Sequence, residues 1–390
     1  MILSISIHLT RFLIVSQAQN DYNKDRNFTT KGEFALHEIE QAMPEASMRT
    51  WIEQLTAIPM VCGFERAQSE RVRELFAPLC DEIEVDRFGN VIGRIRSGKP
   101  DAKTVLLDAH LDQIGFVVTE MLDHGFLRFQ SVGGVDPRML LGAEVTIGAP
   151  EGELYGIVAC KPPHLLAANE SDKAVPIHEM VIDTGLLDAK SKIPVGTPIW
   201  FPADKAHMPK LSKDSITGPS LDDRAGAAAI AYALQKLRKV DLSVDVAVLL
   251  SVQEEVTSLG ATLGTFHIRP DYAIAVDVSH AKTPDASDQF EYGGGVMIGM
   301  GPNMSRALTR ALIRTAKAED MDYQIEVMEG NTGTNAWEMQ IIGTGTAQAI
   351  LSIPLRYMHT PIETIKLSDA ESVGDLMYHF LRQFDGEVRL

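Results

Sequence analysis

The run VDVAVLL at residues 244–250 is the feature that most constrains how this chain can fold. It is β-branched and almost wholly apolar, which is typical of an interior parallel strand covered on both faces. Open α/β sheets built from such strands deliver side chains to a crevice at their carboxyl ends. The run leads into SVQEE at 251–255, so the adjacent carboxylates of Glu254 and Glu255 are predicted to lie in that crevice. Such neighbours repel each other unless a cation, a shared proton or divergent directions separates their charges.

Apolar strand patterns alternate with helical patterns through most of the chain. Further strands are predicted at 104–109, 272–276 and 347–353, with an edge strand at 295–300. Helices are predicted at 67–81, 220–237, 304–318 and 369–384. This alternation predicts an α/β fold with helices packed on the sheet. Between residues 114 and 216 the pattern changes to short strands separated by Gly, Pro and Asp. That change predicts a small β-barrel or sandwich inserted into the α/β domain.

Chain length supports the same division, because 390 residues exceed the usual size of a single core. We predict a three-layer helix–sheet–helix domain formed by residues 43–113 and 217–390. The β-rich domain, barrel-like or PDZ-like, is predicted at 114–216. Residues 1–42 are predicted to be an extension outside this fold, because most of that stretch is polar and without a repeating pattern.

Composition bears on partners and compartment. A net charge of −17 argues against a nucleic-acid partner, since phosphate binding needs a basic surface. Cys62, Cys80 and Cys160 show no C-x-x-C spacing, which predicts buried thiols in a reducing compartment. We therefore expect a cytoplasmic protein without a membrane partner. Secretion is the alternative, because the start MILSISIHLTRFLIV imitates a signal segment, although Arg11 interrupts its apolar run.

Histidines and carboxylates stand at the predicted strand ends and helix starts of the α/β segments: His110, Asp112, Asp222, Glu254, Glu255, Asp277 and His359. Each alone has an ordinary explanation, such as a helix cap, a loop carboxylate or a core histidine. Together they form a ligand set that suits zinc, cobalt or manganese. In the His110-x-Asp112 pair, strand alternation places both side chains on one side, so the carboxylate can orient the imidazole. Seven further histidines lack that arrangement and are predicted to be surface or packing residues: His124, His164, His178, His207, His267, His280 and His379.

Six short motifs carry a resemblance to a known family. They are DAHLDQIGF at 108–116, GGVD at 133–136, LDDRAG at 221–226, QEEV at 253–256, VDVSHAK at 276–282 and IPLRYMHT at 353–360. Because it contains these six motifs in this order, the chain resembles the tetrahedral aminopeptidases and glutamyl-aminopeptidase-like dinuclear metallopeptidases. That group also contains members labelled deblocking aminopeptidase or endoglucanase. The resemblance runs from about residue 43 to the C-terminus.

The resemblance implies a role for each matching residue. Asp222 would bridge two divalent metal ions, most readily zinc, with cobalt or manganese as alternatives. Glu255 and His359 would complete the shell of one ion, and His110 and Asp277 that of the other. Glu254 would be the general base, and Asp112 would support His110. One departure concerns GTNA at 333–336, where family members often carry Gly-Thr-Asp-Ala; Asn335 therefore puts the substrate preference in question.

The function implied is removal of N-terminal residues from peptides by a metal-activated water. The resemblance also implies that the inserted domain makes dimers, which many members assemble further into a tetrahedral dodecamer. Two alternatives stay open: a glycoside hydrolase, as the endoglucanase label suggests, and a catalytically silent binding scaffold. A glycosidase usually needs two carboxylates free of metal, whereas most carboxylates here are matched to metals.

Overall fold

The computed structural model describes residues 45–165, 174–203, 208–287 and 289–389. The predicted extension at 1–42 lies outside the described residues. The α-helices are α1 (Met48–Thr56), α2 (Ser69–Phe76), α3 (Ala189–Lys192), α4 (Leu221–Leu237), α5 (Glu254–Thr257), α6 (Leu259–Ile268), α7 (Arg306–Ala318), α8 (Ala336–Met339) and α9 (Leu367–Leu381). Short 3₁₀ turns occupy Glu65–Ala67, Ala77–Leu79, Asp123–Gly125, Pro137–Met139, Pro163–Leu165 and Ile177–Glu179. Among the described helices, none is long and apolar enough to cross a bilayer.

The strands form a large mixed sheet and a separate closed barrel. They are β1 (Glu82–Val85), β2 (Val91–Ile95), β3 (Thr104–His110), β4 (Gly115–Met121), β5 (Phe126–Val132), β6 (Glu144–Ala149), β7 (Gly152–Val158), β8 (Ile182–Asp183), β9 (Pro198–Trp200), β10 (Ser215–Thr217), β11 (Asp245–Ser251), β12 (Tyr272–His280), β13 (Val296–Met300), β14 (Tyr323–Val327), β15 (Ala347–Arg356) and β16 (Thr364–Lys366). The main sheet has the order β1-β2-β11-β3-β12-β15-β13-β14, with β16 joined to β15 and β10 joined to β16.

The four central strands β11, β3, β12 and β15 run parallel to one another. Their carboxyl ends therefore lie at the same edge of the sheet, where ligands bind in open α/β folds. The register places Ser251 opposite His110 and Asp277 opposite Ser352. The apolar run at 244–250 is thus an interior strand, and the pair Glu254–Glu255 follows it at this edge.

Side chains alternate between two apolar clusters along the central strands. In β3, Val105 and Leu107 belong to a large cluster, whereas Leu106 belongs to a second cluster with Leu249 and Ala273. Burial of one such aliphatic side chain contributes roughly 1.5–3 kcal/mol, so both clusters stabilise the interior strands. These contacts confirm the predicted α/β fold.

The barrel consists of β4-β5-β8-β7-β6-β9 and encloses its own apolar cluster. Phe116 packs edge-to-face against both Phe129 and Phe201, at ring-centroid distances of 5.1 and 5.5 Å. The inserted β-barrel predicted from the short strands is therefore present.

Three sequence predictions need correction. The predicted edge strand near 295–300 is β13, which pairs with both β15 and β14 and so is not at the edge. The helix predicted over 67–81 is shorter: α2 ends at Phe76 and a 3₁₀ turn containing Pro78 follows, because proline lacks the N–H that would continue the helix. Cys62 and Cys80 are buried as expected, but Cys160 is exposed.

Candidate metal centre

His110 is the last residue of β3, and β3 lies between β11 and β12 in the sheet. This central position explains why His110 is almost completely buried. Its Nδ1 faces the main-chain oxygen of Asp112 at 3.0 Å, and its Nε2 lies 3.0 Å from Oδ1 of Asp222. The Asp112 carboxylate is farther from Nδ1, at 3.6 Å. The nearer acceptor for the imidazole N–H is therefore the carbonyl and not, as the sequence predicted, the carboxylate.

The Asp112 carboxylate instead fixes the start of α5. Its Oδ1 accepts the backbone N–H of Glu254 at 2.9 Å, and its Oδ2 accepts that of Glu255 at 3.0 Å. Burial opposes ionisation of Asp112, but the interaction with His110 and the two N–H groups hold its pKa below the usual value. Asp112 thus positions the two glutamates at the carboxyl end of β11.

Asp222 is the second residue of α4, which follows Ser220, a residue with a left-handed backbone. The Asp222–Asp223 peptide is cis. The two carboxylate oxygens of Asp222 point toward different imidazoles. Oδ1 lies 3.0 Å from Nε2 of His110, and Oδ2 lies 3.4 Å from Nε2 of His359. Burial works against ionisation, yet these two histidines lower the pKa of Asp222. Asp222 is therefore shared between two halves of the site.

His359 lies in the turn after β15 in a left-handed conformation, with φ of 61°. Its Nε2 is 3.3 Å from Oε2 of Glu255. A Cβ on Gly134 would lie only 2.9 Å from Nδ1 of this imidazole, so a glycine is needed at that position. The GGVD segment after β5 thus approaches the site closely through its backbone.

The predicted site residues form two groups in which the ligand atoms lie within 4.8 Å of one another: His110, Asp222 and Asp277, and Asp222, Glu255 and His359. A third such group among the described residues, Cys62, Glu65 and Asp112, includes no imidazole. Each of the first two groups offers an imidazole with carboxylates, and Asp222 belongs to both. This donor set fits two adjacent divalent cations such as zinc, cobalt or manganese.

Electrostatics supports the same fit. Among the described residues, no Lys or Arg forms an ion pair with Asp222, Glu254, Glu255 or Asp277. Burial, together with repulsion from Asp222, raises the pKa of Glu255 well above the usual value. Burial and repulsion from Asp223 and Asp222 do the same for Asp277. Carboxylates in such a buried cluster can all be ionised only with a compensating positive charge, which metal ions would supply.

Glu254 belongs to neither donor group. Its Oε2 lies 4.0 Å from Nε2 of His110, and burial raises its pKa to about 7. It lines the same cavity of about 330 Å³ as the donors; the lining residues are Asp222, Glu254, Glu255, Ser258, Asp277, Val278, Asn331, Gly333, Thr334, Trp337, Glu338, Met358 and His359. A carboxylate that faces the cavity without belonging to a donor group is available for proton transfer.

Every predicted site residue therefore lies at the carboxyl edge of the sheet. Of the seven further histidines, His207 lies outside the described residues and His379 is half-buried. The others are exposed: His124, His164, His178, His267 and His280.

Asn335 is buried beneath the cavity and does not line it. Its side chain bonds to Asp108 and Ser251, so the structure gives it no direct contact with a substrate in the cavity.

Sequence reasoning missed Glu363. Its Oε2 accepts the backbone N–H of Asp222 at 3.1 Å, and its Oε1 accepts that of His359 at 2.9 Å. The residue follows the IPLRYMHT motif closely, but its role depends on two backbone segments far apart in sequence. No spacing pattern could have revealed it.

Comparison with solved structures defines the class. The chain superimposes on the TET aminopeptidase of a marine sediment archaeon of the Thaumarchaeota with a TM-score of 0.80 and 27% identity, covering 87% of this chain and 97% of that one. It superimposes on the TET1 peptidase of Pyrococcus horikoshii, which assembles into a tetrahedron or a large octahedral shell, with a TM-score of 0.74 and 29% identity over 87% and 100% of the two chains. A Thermotoga maritima structure labelled endoglucanase gives a TM-score of 0.67 at 25% identity, covering 85% and 96%. The fold is that of the aminopeptidases.

Residues 89–376 match the M42 glutamyl aminopeptidase family, and the chain belongs to that family. The lysyl aminopeptidase of Pyrococcus furiosus is 33% identical over 322 residues, which are 81% of this chain and 91% of the relative. The glutamyl aminopeptidase of Lactococcus lactis is 25% identical over 326 residues, covering 82% and 91%. The resemblance found in the sequence motifs is thus confirmed, and peptide hydrolysis is the activity of the class.

Proposed function

We propose that this protein is a metal-dependent aminopeptidase that removes N-terminal residues from peptides. The observation that carries the proposal is the shared position of Asp222. Its two oxygens face two imidazoles and contribute to two donor groups, as a carboxylate bridging two metal ions would. His110 and Asp277 would complete one ion's ligands, and Glu255 and His359 those of the other.

Two bound divalent ions would lower the pKa of a water molecule toward neutrality and polarise the scissile carbonyl. The protein's own residues would do the rest. Glu254, oriented by the Asp112 contact with its backbone, would accept a proton from the attacking water. It would then return the proton to the leaving amine. The buried Glu363 would hold the backbones of Asp222 and His359 in place.

The finer organisation is also part of the proposal. We infer a three-layer catalytic domain from residues 43–113 and 217–390, and a PDZ-like dimerisation domain at 114–216. Strand β7 of the barrel exposes Tyr155 and Ile157, which suits contact with a second copy. Self-association is supported by the assembly of the Pyrococcus horikoshii relative. A cytoplasmic location follows from the sequence argument.

The test is hydrolysis of a panel of aminoacyl chromogenic substrates by metal-free protein resupplied with zinc, cobalt or manganese. We expect no turnover without metal and recovery when about two ions bind per subunit. Turnover that is unchanged after metal removal would refute the metal-dependent mechanism.

The same preparations, assayed on carboxymethylcellulose, test the glycosidase alternative. A carboxylate-only glycosidase would retain its activity in the presence of EDTA. If neither substrate class is turned over with any metal, the chain is a binding scaffold and the proposal fails.

A further inference from the structure

One carboxylate in the cavity has no role in the proposed chemistry. Glu338, on α8, lines the cavity but belongs to neither donor group, and it is not the proposed base. No hydrogen bond or ion pair of its side chain is found among the described residues. It is half-buried, so it faces the cavity without being fully hydrated.

The charge of the residues that line the cavity makes Glu338 distinctive. The described residues that line the cavity include no Lys or Arg. With two divalent ions present, the charges of Asp222, Glu255 and Asp277 would be offset by the ions they bind. Glu338 would keep an uncompensated negative charge at the wall of the substrate site.

The surroundings of Glu338 suit the long aliphatic part of a lysine or arginine side chain. Trp337, Met358 and Val278 line the same cavity and offer apolar or aromatic surface. Lysine and arginine side chains commonly pack their methylene groups on such surface while the charged end meets a carboxylate. An ammonium or guanidinium group near Trp337 would also be attracted to the face of the indole ring.

We propose that Glu338 determines specificity by binding the basic side chain of the substrate's N-terminal residue, so that peptides beginning with Lys or Arg are preferred. This inference rests on the proposed aminopeptidase function. Substrates that begin with Glu or Asp are disfavoured, because the described lining of the cavity offers their carboxylate a like charge and no Lys or Arg.

Glu338 could instead bind the free α-ammonium group that every substrate presents. The two roles have different consequences. Loss of an α-ammonium contact lowers turnover of all substrates alike, whereas loss of a side-chain contact affects only the basic ones.

The experiment compares kcat/KM of the metal-loaded enzyme for Lys, Arg, norleucine and Glu aminoacyl substrates. Norleucine matches the lysine stem but lacks the ammonium group. We expect wild type to prefer Lys over norleucine by roughly tenfold or more, as for a hydrogen bond between charged groups. Glu338→Gln should remove this preference through a higher KM while leaving norleucine turnover within about threefold. Glu338→Lys should shift preference toward the Glu substrate.

Glu329→Gln is the matched control, because Glu329 is exposed and does not line the cavity. It should leave the Lys to norleucine ratio unchanged, since the charge removed is exposed to solvent and does not line the cavity. An equal loss on all substrates in Glu338→Gln, or a wild-type preference for norleucine or Glu, overturns the inference alone. Absence of turnover on every substrate overturns the proposed function and this inference with it.

Discussion

Asn335 donates a hydrogen bond from Nδ2 to Oδ2 of Asp108 at 2.9 Å, and both side chains are buried beneath the candidate metal centre. The same Nδ2 donates to Oγ of Ser251 at 2.8 Å. In this chain the amide of Asn335 donates to both neighbours, whereas a carboxylate would lack the donor and would repel Asp108. Asn335, which departs from the family's Gly-Thr-Asp-Ala run, thus has defined hydrogen-bond partners in this chain.

Asn335→Asp should therefore destabilise the protein. Two buried carboxylates would face each other and Ser251 would lose its donor, which costs roughly 1–3 kcal/mol of unfolding free energy at neutral pH. Urea denaturation of the metal-free protein measures the loss. The swap Asp108→Asn with Asn335→Asp restores one amide and one carboxylate and should recover most of it. If the single variant is as stable as wild type, the pairing does not have this role.

Glu254→Gln should abolish turnover without loss of metal. The amide cannot accept the proton of an attacking water, and general-base catalysis typically contributes about 10²- to 10⁴-fold. Elemental analysis and kcat on a chromogenic substrate check both quantities. Its neighbour provides the contrast: Glu255→Gln should lower metal content, because Glu255 lies in a donor group. Retained turnover in Glu254→Gln would assign the base to another residue.

Glu363→Gln should weaken metal binding although Glu363 touches no metal in the proposed site. Both of its oxygens accept backbone N–H groups, from Asp222 and His359. Glutamine turns one acceptor into a donor facing an N–H, so one ligand backbone would shift. Residues that support metal ligands typically change affinity about 10- to 100-fold.

Competition with a chromophoric chelator measures that affinity directly, without reference to activity. Circular dichroism of the metal-free variant shows whether the fold is kept. Unchanged affinity for both ions would mean that Asp222 and His359 are positioned by other contacts.

The site was more predictable from the sequence than its supporting contacts. The carboxyl ends of adjacent parallel strands lie at the same edge of a sheet. The histidines and carboxylates at the ends of β3, β11, β12 and β15 could therefore be predicted to lie together from the topology alone. Glu363 and the Asp112 contacts with α5 depend on backbone N–H groups, which carry no residue signature. Such contacts become visible only when distant segments are placed in space.

Helix α6 was missed for a related reason. Its glycines are usually interpreted as helix breakers, and its apolar residues follow no single face. In the structure a Cβ on Gly264 would lie 2.5 Å from the Leu249 side chain, and one on Gly260 would lie 2.3 Å from the Val252 carbonyl oxygen. These glycines allow the helix to pack closely on β11, a requirement set by tertiary structure.

Asp369 provides a test of pH dependence away from the metal ligands. It lies in the first turn of α9 and is buried, and its oxygens accept the N–H groups of Gly293 and Gly295 at 2.8 and 3.0 Å. Burial raises its pKa from 3.8 to about 6. The folded state therefore retains this proton at pH values where the unfolded state has lost it.

The sign follows from that difference. The contribution of Asp369 to stability is fully present below about pH 4 and is lost as the pH rises through about 6. Relative to Asp369→Asn, which does not titrate, the unfolding free energy of wild type should fall over this window by up to about 3 kcal/mol. Urea denaturation of both metal-free proteins at several pH values gives the difference, in which the other titrating groups cancel. A difference that rises with pH would show that the two glycine N–H groups, which favour the ionised form, outweigh burial.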